Sequence, residues 1–504
     1  MTPDYLNDLH YLWPEVVLTV AVLLALFSDL ILGGRDQKVT GTISVLCTCL
    51  VIYFLAKLWM EGNVQRPFGI MLIDGYSLFF KLISAIGLLV VLLYSMFFKE
   101  FDRDGIGEFY AVILSSTLGI FFLVSSDHLL VLYLAMEMLS ITSYVLAGFL
   151  KKEMRSSEAA LKYLVFGALS SGIMVFGFSI FFGLAGDLTL DTIGAFIGRH
   201  FSETEYTSSI IIATIMVLAG FSYKIASFPF HFWCPDVYEG APTPVTTFLA
   251  VSSKAAGFGL LVRFFFLAFA TDASYSVLWG PKLAMLIAVL SAVTMTYGNI
   301  TAMKQSNLKR LLAYSSIAHA GYMLMGLAAL LYASKGTPAE AGIESILFYL
   351  VTYLIMNLGA FGFVIYIYNR YGQDEIEGYT GLGWKSPYAS AFMTIFLLSL
   401  TGIPPTIGFI GKWKLFYAVI DEGIYWLAIC AAVNSVISLF YYFRIVKALF
   451  LKTNPDEIEG AGGDLVTLPA QKMMVSVITV LALATIYYGI YWKTIEAIVR
   501  HASP

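Results

Sequence analysis

The sequence predicts an all-α, polytopic membrane protein with about fourteen spans. Two observations carry that reading. Hydrophobic residues make up 59% of the 504 and charged residues only 13%, where soluble domains carry roughly 25% charged residues; the mean hydropathy is +0.79. The apolar residues are also gathered into long segments, each near or above the roughly 20 residues that carry a helix across a bilayer. The net charge of −4 is small for this length and points to neither an acidic nor a basic partner. Of the four cysteines, Cys47, Cys49, Cys234 and Cys430, three fall inside apolar segments. Without a CxxC pair or clustered His/Cys set they indicate no disulfide framework and no iron–sulfur or zinc site.

The spans follow in order at 13–32, 41–60, 75–98, 107–125, 127–149, 157–185, 207–233, 243–270, 277–301, 309–332, 343–369, 387–418, 423–451 and 472–492. The first is longer than a signal-peptide core and lacks a cleavage site, so it is expected to be retained as a helix. Polar connections such as Gly33-Gly34-Arg35-Asp36 and Lys151-Lys152-Glu153 separate the spans. The two longest interruptions are 186–206 and 452–471. The first reads as an amphipathic surface segment, with Ile193, Phe196 and Ile197 opposite Asp191, Arg199 and Glu203; the second, Gly- and acid-rich, reads as a loop. Lysine and arginine are unevenly divided. Loops on one side hold fifteen, from Arg35 to Lys472, and the other side holds six, Arg66, Arg199, Lys282, Lys335, Lys493 and Arg500. The positive-inside rule then places both termini on the outer face.

Titratable residues recur at membrane depth. Glu137 sits near the middle of 127–149, Lys224, Lys254 and Lys412 lie in three other segments, and His319 in a fourth. A carboxylate or ammonium at mid-depth costs about 2.5–3.5 kcal/mol on the mildest insertion scale, and such residues mark ion or proton paths. Two spans are also interrupted. Span seven runs FSYKIASFPFHFWCPDVYEGAPTP and span twelve contains LSLTGIPPTIGFIGKWK. Pro229 and Pro404-Pro405 remove backbone donors and clash with the preceding turn. Lipid cannot satisfy the freed carbonyls, so these breaks are expected inside protein or beside a hydrated cavity. Each lies near a lysine, Lys224 or Lys412. Spans six and eleven share Leu-x-Tyr-Leu-Val, at 161–165 and 347–351, each three residues after a glutamate, Glu158 or Glu344. The matching breaks and motifs predict a duplicated five-helix unit, inverted because the helix number is odd. The expected divisions are a three-helix segment at 1–106, repeats at 107–270 and 271–451, and a last loop and helix at 452–504.

The segments YLAMEMLSITSYVLAGF (133–149), WCPDVYEGAPTPVTTFLAVSSKAAGF (233–258), NLKRLLAYSSIAHAGYMLMG (307–326) and GIPPTIGFIGKWK (402–414) resemble the antiporter-like membrane subunits of NADH–quinone oxidoreductase, respiratory complex I. PDVYEGAPTPVT followed by SSKAA is most similar to the subunit N branch. The resemblance spans essentially the whole chain. It implies fourteen helices, two inverted repeats and proton translocation within a larger complex, whose other subunits carry NADH, FMN, iron–sulfur clusters and quinone; this chain is expected to hold no cofactor or metal. It implies neighbouring antiporter-like subunits as partners, a prokaryotic plasma membrane, or alternatively a thylakoid or organelle inner membrane, and no nucleic acid.

By the same resemblance Glu137 and Lys224 form the pair of an uptake half-channel, Lys254 is the central lysine with small neighbours that leave room for water, and Lys412 lies on the exit side. His319 falls between Lys254 and Lys412 and bridges them. Two readings stand for Lys162, proton transfer or pairing with Glu158 at i,i+4, and two for His231, a proton relay or a packing residue. Asp74, Lys81 and Arg263, near span ends, read as structural. Related subunits also serve cation/proton antiporters and membrane-bound hydrogenases, and a scaffold without an ion path leaves four mid-depth charges unexplained. The electron donor, NADH or ferredoxin, is not written in this chain. The charge bias yields the first prediction: a membrane-impermeant thiol reagent applied from outside reaches a cysteine added after Pro504 and misses one in the 151–155 loop. The reverse labelling pattern overturns the orientation.

Overall fold

In the computed structural model, residues 5–32, 37–101, 105–200, 203–270, 280–332, 340–451 and 469–503 are described. Among them thirteen helices are long and apolar enough to cross a membrane. Spans one to six are Trp13–Leu32, Gln37–Glu61, Gly75–Ser95, Ile106–Ser125, Leu129–Ala147 and Met154–Ala185. Span seven is Thr204–Ile225 and span eight runs Thr243–Ala270. Then come Gly280–Ala302, Leu308–Tyr332, Glu340–Tyr371, Tyr425–Phe450 and Pro469–Ile490. The shorter apolar helix Pro387–Thr401, continued beyond a break by Ile407–Asp421, supplies span twelve and completes fourteen. No sheet forms among the described residues; four isolated bridges, such as Gln65 with Ile73, only tie loops together. The expected connections at 33–36 and 452–468, with Arg35, Arg103, Lys335 and Lys452, lie outside the described residues.

A helix that is apolar on every side is expected in the interior. The apolar stretches of spans eight and ten are fully buried and that of span eleven nearly so, and these three form the centre of the bundle. Spans one and fourteen are mostly exposed on their outward faces. The central helices approach closely because small residues line their contacts, as expected where no hydrophobic drive operates between helices in lipid. A Cβ at Gly321 of span ten would lie 2.5 Å from the Met295 backbone nitrogen of span nine, and one at Gly298 of span nine would lie 2.6 Å from the Ala318 nitrogen of span ten.

Both interruptions fall where the prolines place them. Span seven ends at Ile225; Ala226 then takes a left-handed conformation, φ 58°, and residues 227–232 are irregular before the short helix Trp233–Gly240. The indole of Trp233 donates to the Tyr223 carbonyl at 3.0 Å and the Phe228 amide to Thr294 Oγ1 at 3.1 Å, so the broken turn is satisfied within protein. In span twelve, Gly402 takes φ 92° and Gly408 lets the second half pack against the Ser399 carbonyl, while its amide donates to Ser399 Oγ at 3.1 Å.

The 186–206 segment contains the amphipathic helix Leu190–His200 with Ile193 and Ile197 buried, as expected. The sequence reading did not separate two further helices, Tyr5–Tyr11 and Lys493–Ala502. The latter buries Ile495 and Val499, and its Glu496 binds Lys414 of span twelve at 2.7 Å. The close contact of spans nine and ten gives a stability prediction. Gly321→Val forces the two backbones apart, and overpacking of this kind costs about 1–3 kcal/mol. The variant should unfold at a lower temperature than Gly172→Ala, whose added Cβ meets nothing within 4 Å. Equal melting temperatures contradict the packing argument.

Candidate functional site: a polar line through the apolar centre

The first half of the site is built on spans five, six and seven. Leu129–Ala147 presents Glu137 and, one turn later, Ser140; Ser171 of span six donates to Glu137. Lys224 lies in the last turn of span seven, buried, and its ammonium donates to Ser140 Oγ at 3.3 Å. Glu137 and Lys224, expected to pair, thus share a helix face through Ser140 instead of touching directly. The Lys224 stem packs against span eight at Gly257, where a Cβ would lie 3.2 Å from its Cγ.

Gly257 is one turn beyond Lys254. Span eight reaches Lys254 through a π-helical stretch, Leu249–Ser253, a local widening common at functional sites. The Lys254 ammonium donates to the Ser316 carbonyl at 2.8 Å and also to the Ser316 hydroxyl. Tyr353 of span eleven donates to the same hydroxyl at 2.7 Å.

His319 lies one turn after Ser316 on span ten. Its Nδ1 is 2.6 Å from Tyr349 Oη and its Nε2 is 3.2 Å from Tyr442 Oη; Tyr442 also meets Ser315 Oγ at 2.5 Å. Tyr322 follows one turn further along. The Lys412 ammonium stands 4.7 Å from the centre of the Tyr322 ring and donates to the Thr401 carbonyl at 2.8 Å and to Ser435 Oγ at 2.9 Å. Thr401 is the last residue before the span-twelve break, so the lysine satisfies a carbonyl that the break frees. Asn299 and Asn434, joined at 3.2 Å, flank this end, with Tyr441 donating to Asn299 at 3.0 Å. Lys254, His319 and Lys412 therefore belong to one nearly continuous set of buried polar groups.

The remaining candidates lie apart from it. Lys162 pairs with Glu158 at 2.7 Å and with Asp236 at 2.6 Å. Arg310 joins Asp236 at 2.6 Å and Glu239 at 2.9 Å, around a cavity of about 160 Å³ at one face of the bundle. The acidic residues of the PDVYEG segment thus tie the short helix after the span-seven break to spans six and ten. Burial pushes the Asp236 carboxyl up, but hydrogen bonds from Lys162 and Arg310 more than offset it and leave it below its ordinary value. His231 is buried against Phe232 and Tyr297, with ring centres 4.3 and 4.4 Å away, and neither of its nitrogens has a hydrogen-bond partner. Arg263 forms a two-point bond with Asp74, and Lys81 forms a single ion pair with Glu15.

Sequence reasoning missed Glu15 and the hydroxyls that join the line. A signal for the latter existed. Ser315, Ser316, His319 and Tyr322 recur at helical spacing on one apolar helix, and Tyr349 and Tyr353 do so on the next. Polar groups repeating on one face of a fully buried helix must face each other or water.

Fold and site together define a class: many-helix membrane proteins with two interrupted spans, each carrying a lysine beside its break. Residues 126–438 match the family model described as NADH:quinone oxidoreductase/Mrp antiporter, TM. The chain belongs to this family of antiporter-like membrane subunits. It is 39% identical to NADH-quinone oxidoreductase subunit N of Chlorobium chlorochromatii, over 97% of this chain and 94% of that protein. It is 40% identical to NAD(P)H-quinone oxidoreductase subunit 2 of Acaryochloris marina, over 88% of this chain and 82% of that one. Among solved structures it resembles a chain of respiratory complex I from Thermus thermophilus with bound aureothin, at 29% identity and TM-score 0.77, covering 96% and 98% of the two chains.

The tyrosines around His319 can be tested directly. Tyr442→Phe strips a hydrogen bond from both His319 and Ser315, and a buried polar group left unpaired costs about 1–3 kcal/mol. The variant should melt measurably below the parent, whereas Tyr388→Phe, at a side chain that is 77% exposed, should not. An unchanged melting temperature for Tyr442→Phe removes that hydroxyl from the network.

Proposed function

We propose that this chain is a proton-translocating membrane subunit of an NADH–quinone oxidoreductase, moving protons through Glu137, Lys224, Lys254, His319 and Lys412 with energy from quinone reduction in partner subunits. The observation that carries the reading is the line of buried, hydrogen-bonded groups running from Lys254 to Lys412 through the most apolar part of the bundle. Proton transfer needs donors and acceptors at hydrogen-bond distance or one water apart. Here hydroxyls, an imidazole and ammonium groups form hydrogen-bonded clusters around Lys254, His319 and Lys412, and water in the gaps between them completes the path. Uptake is assigned to the Glu137 and Lys224 half, at 107–270, and release to the half at 271–451. Lys162, in the charged mouth with Asp236 and Arg310, collects protons at the face of the bundle, while His231 joins only if water reaches its ring.

Partner subunits supply the NADH site, FMN, iron–sulfur clusters and quinone chemistry, and this chain makes and breaks no substrate bond. Its neighbours in the bilayer are other antiporter-like subunits of the same complex. The relatives at about 40% identity favour this redox setting over a cation/proton antiporter, because both are quinone oxidoreductase subunits. The membrane is a prokaryotic plasma membrane or a thylakoid, with both termini on its outer side.

Coupling between Glu137 and Lys224 gives the decisive measurement. Glu137→Gln removes a carboxylate whose charge acts on the buried Lys224 ammonium, and Lys224→Met removes that ammonium. Each should lower proton uptake by vesicles holding the assembled complex several-fold. The double variant should lose less than the sum of the two, because groups in one network are not additive. Normal uptake in both assembled single variants refutes the path.

A further inference from the structure

The deepest ion pair among the described residues is not in the proton line. Glu15, in the first turn of span one, meets Lys81 of span three at 2.6 Å, with the lysine side chain fully buried and the glutamate 4% exposed. Neither has a further hydrogen-bond partner. A buried pair this poorly supported is a weak source of stability, since apolar residues of similar size often replace such pairs at no loss. Its presence calls for a role in setting one particular arrangement.

Span three supplies the reason an arrangement matters here. On its other side it runs along span eight. Asp74 caps span three by accepting from the Ser77 amide at 2.8 Å, and the same carboxylate holds the Arg263 guanidinium at 2.8 and 3.1 Å. Arg263 lies 4.7 Å from the centre of the Tyr76 ring, and Tyr76 donates to the Gly259 carbonyl at 2.8 Å. One turn beyond Lys81, the Ser84 carbonyl accepts from Ser252 Oγ at 3.4 Å. Gly87 leaves the space that the Ser252 hydroxyl occupies, so that any Cβ there would collide with it. Ser252 belongs to the π-helical stretch directly before Lys254.

We propose that Glu15–Lys81 is a positioning clamp: it fixes span three as a rail against which span eight is held, and so sets where Lys254 stands relative to Ser316. The proposal rests on the reading of Lys254 as the central proton-carrying lysine. Span three touches span eight near its end, through Asp74 and Tyr76, and at its widened turn, through Ser84 and Gly87. The Asp74–Arg263, Tyr76–Gly259 and Ser84–Ser252 bonds tie span three to span eight, and the charge pair sets the register of span three against span one, because a shift of one turn separates the charges in an apolar setting.

The test measures protons translocated per NADH oxidised in vesicles holding the assembled complex. Lys81→Met leaves Glu15 without its counter-charge and should lower the ratio to the value given by Lys254→Met. Glu15→Leu with Lys81→Met replaces the pair by apolar side chains and should restore both assembly and ratio. Gly87→Ala disturbs the rail without touching a charge, and should assemble and lower the ratio, which also covers the case in which Lys81→Met does not assemble. A normal ratio in Lys81→Met or Gly87→Ala overturns the clamp. So does a double variant that assembles with a low ratio, since the charges themselves would then move protons. If Lys254→Met also pumps normally, the reading of Lys254 fails as well; if it does not, only the clamp fails.

Discussion

Every polar group within this bundle must find its partner inside the protein, because the hydrocarbon around it offers none. That constraint governs the two broken spans, and they meet it differently. At span twelve the break frees the Thr401 carbonyl, and Lys412 supplies the missing donor together with Ser435. At span seven the freed Tyr223 carbonyl is taken by the Trp233 indole. Lys224 is therefore not needed to mend its own helix and turns to Ser140. The same device, a lysine beside a proline break, is a helix cap in one half and an available charge in the other.

The halves match more closely at the helix that faces each lysine. Span five offers Glu137 and Ser140, and span ten offers His319 and Tyr322, both at i and i+3, the spacing that puts two side chains on one helix face. In each case the lysine meets the second member: Lys224 at Ser140 Oγ, Lys412 over the Tyr322 ring. The first member differs, a carboxylate in one half and an imidazole in the other. Only the first half therefore carries an acid next to its lysine, which gives the two halves unlike charge at otherwise corresponding places.

Span existence was legible because apolar length is a direct consequence of bilayer thickness, and the breaks were legible because proline acts locally. Glu137, Lys224, Lys254 and Lys412 stood out because a charge in an apolar run is costly and has to be explained. What stayed hidden depends on partners far away in sequence. Glu15 lies in the first turn of its helix, where an acidic residue carries no signal; only its meeting with Lys81, across two spans, makes it notable. The tyrosines were missed for a different reason, although their helical spacing carried a signal. A tyrosine in an apolar helix is unremarkable until its hydroxyl is seen to need a partner, as those of Tyr349, Tyr353 and Tyr442 do. The Lys493–Ala502 helix was overlooked because it is amphipathic and short, so length and hydropathy gave it no signal.

The charged residues also divide by the kind of oxygen that holds them. Lys81, Arg263, Arg310 and Lys414 each sit within 3 Å of a carboxylate oxygen. The three mid-span lysines, Lys224, Lys254 and Lys412, instead donate to hydroxyl and carbonyl oxygens, with no carboxylate at ion-pair distance among the described residues. Breaking a buried ion pair by removing one partner costs about 3–5 kcal/mol, whereas a hydrogen bond from a charged group to a neutral oxygen contributes about 1.5–3 kcal/mol. An ammonium held by neutral oxygens therefore exchanges partners at lower cost than one held by a carboxylate. The carboxylate-held charges thus tie one helix to another, and the three mid-span lysines sit among neutral oxygens in the most apolar part of the bundle.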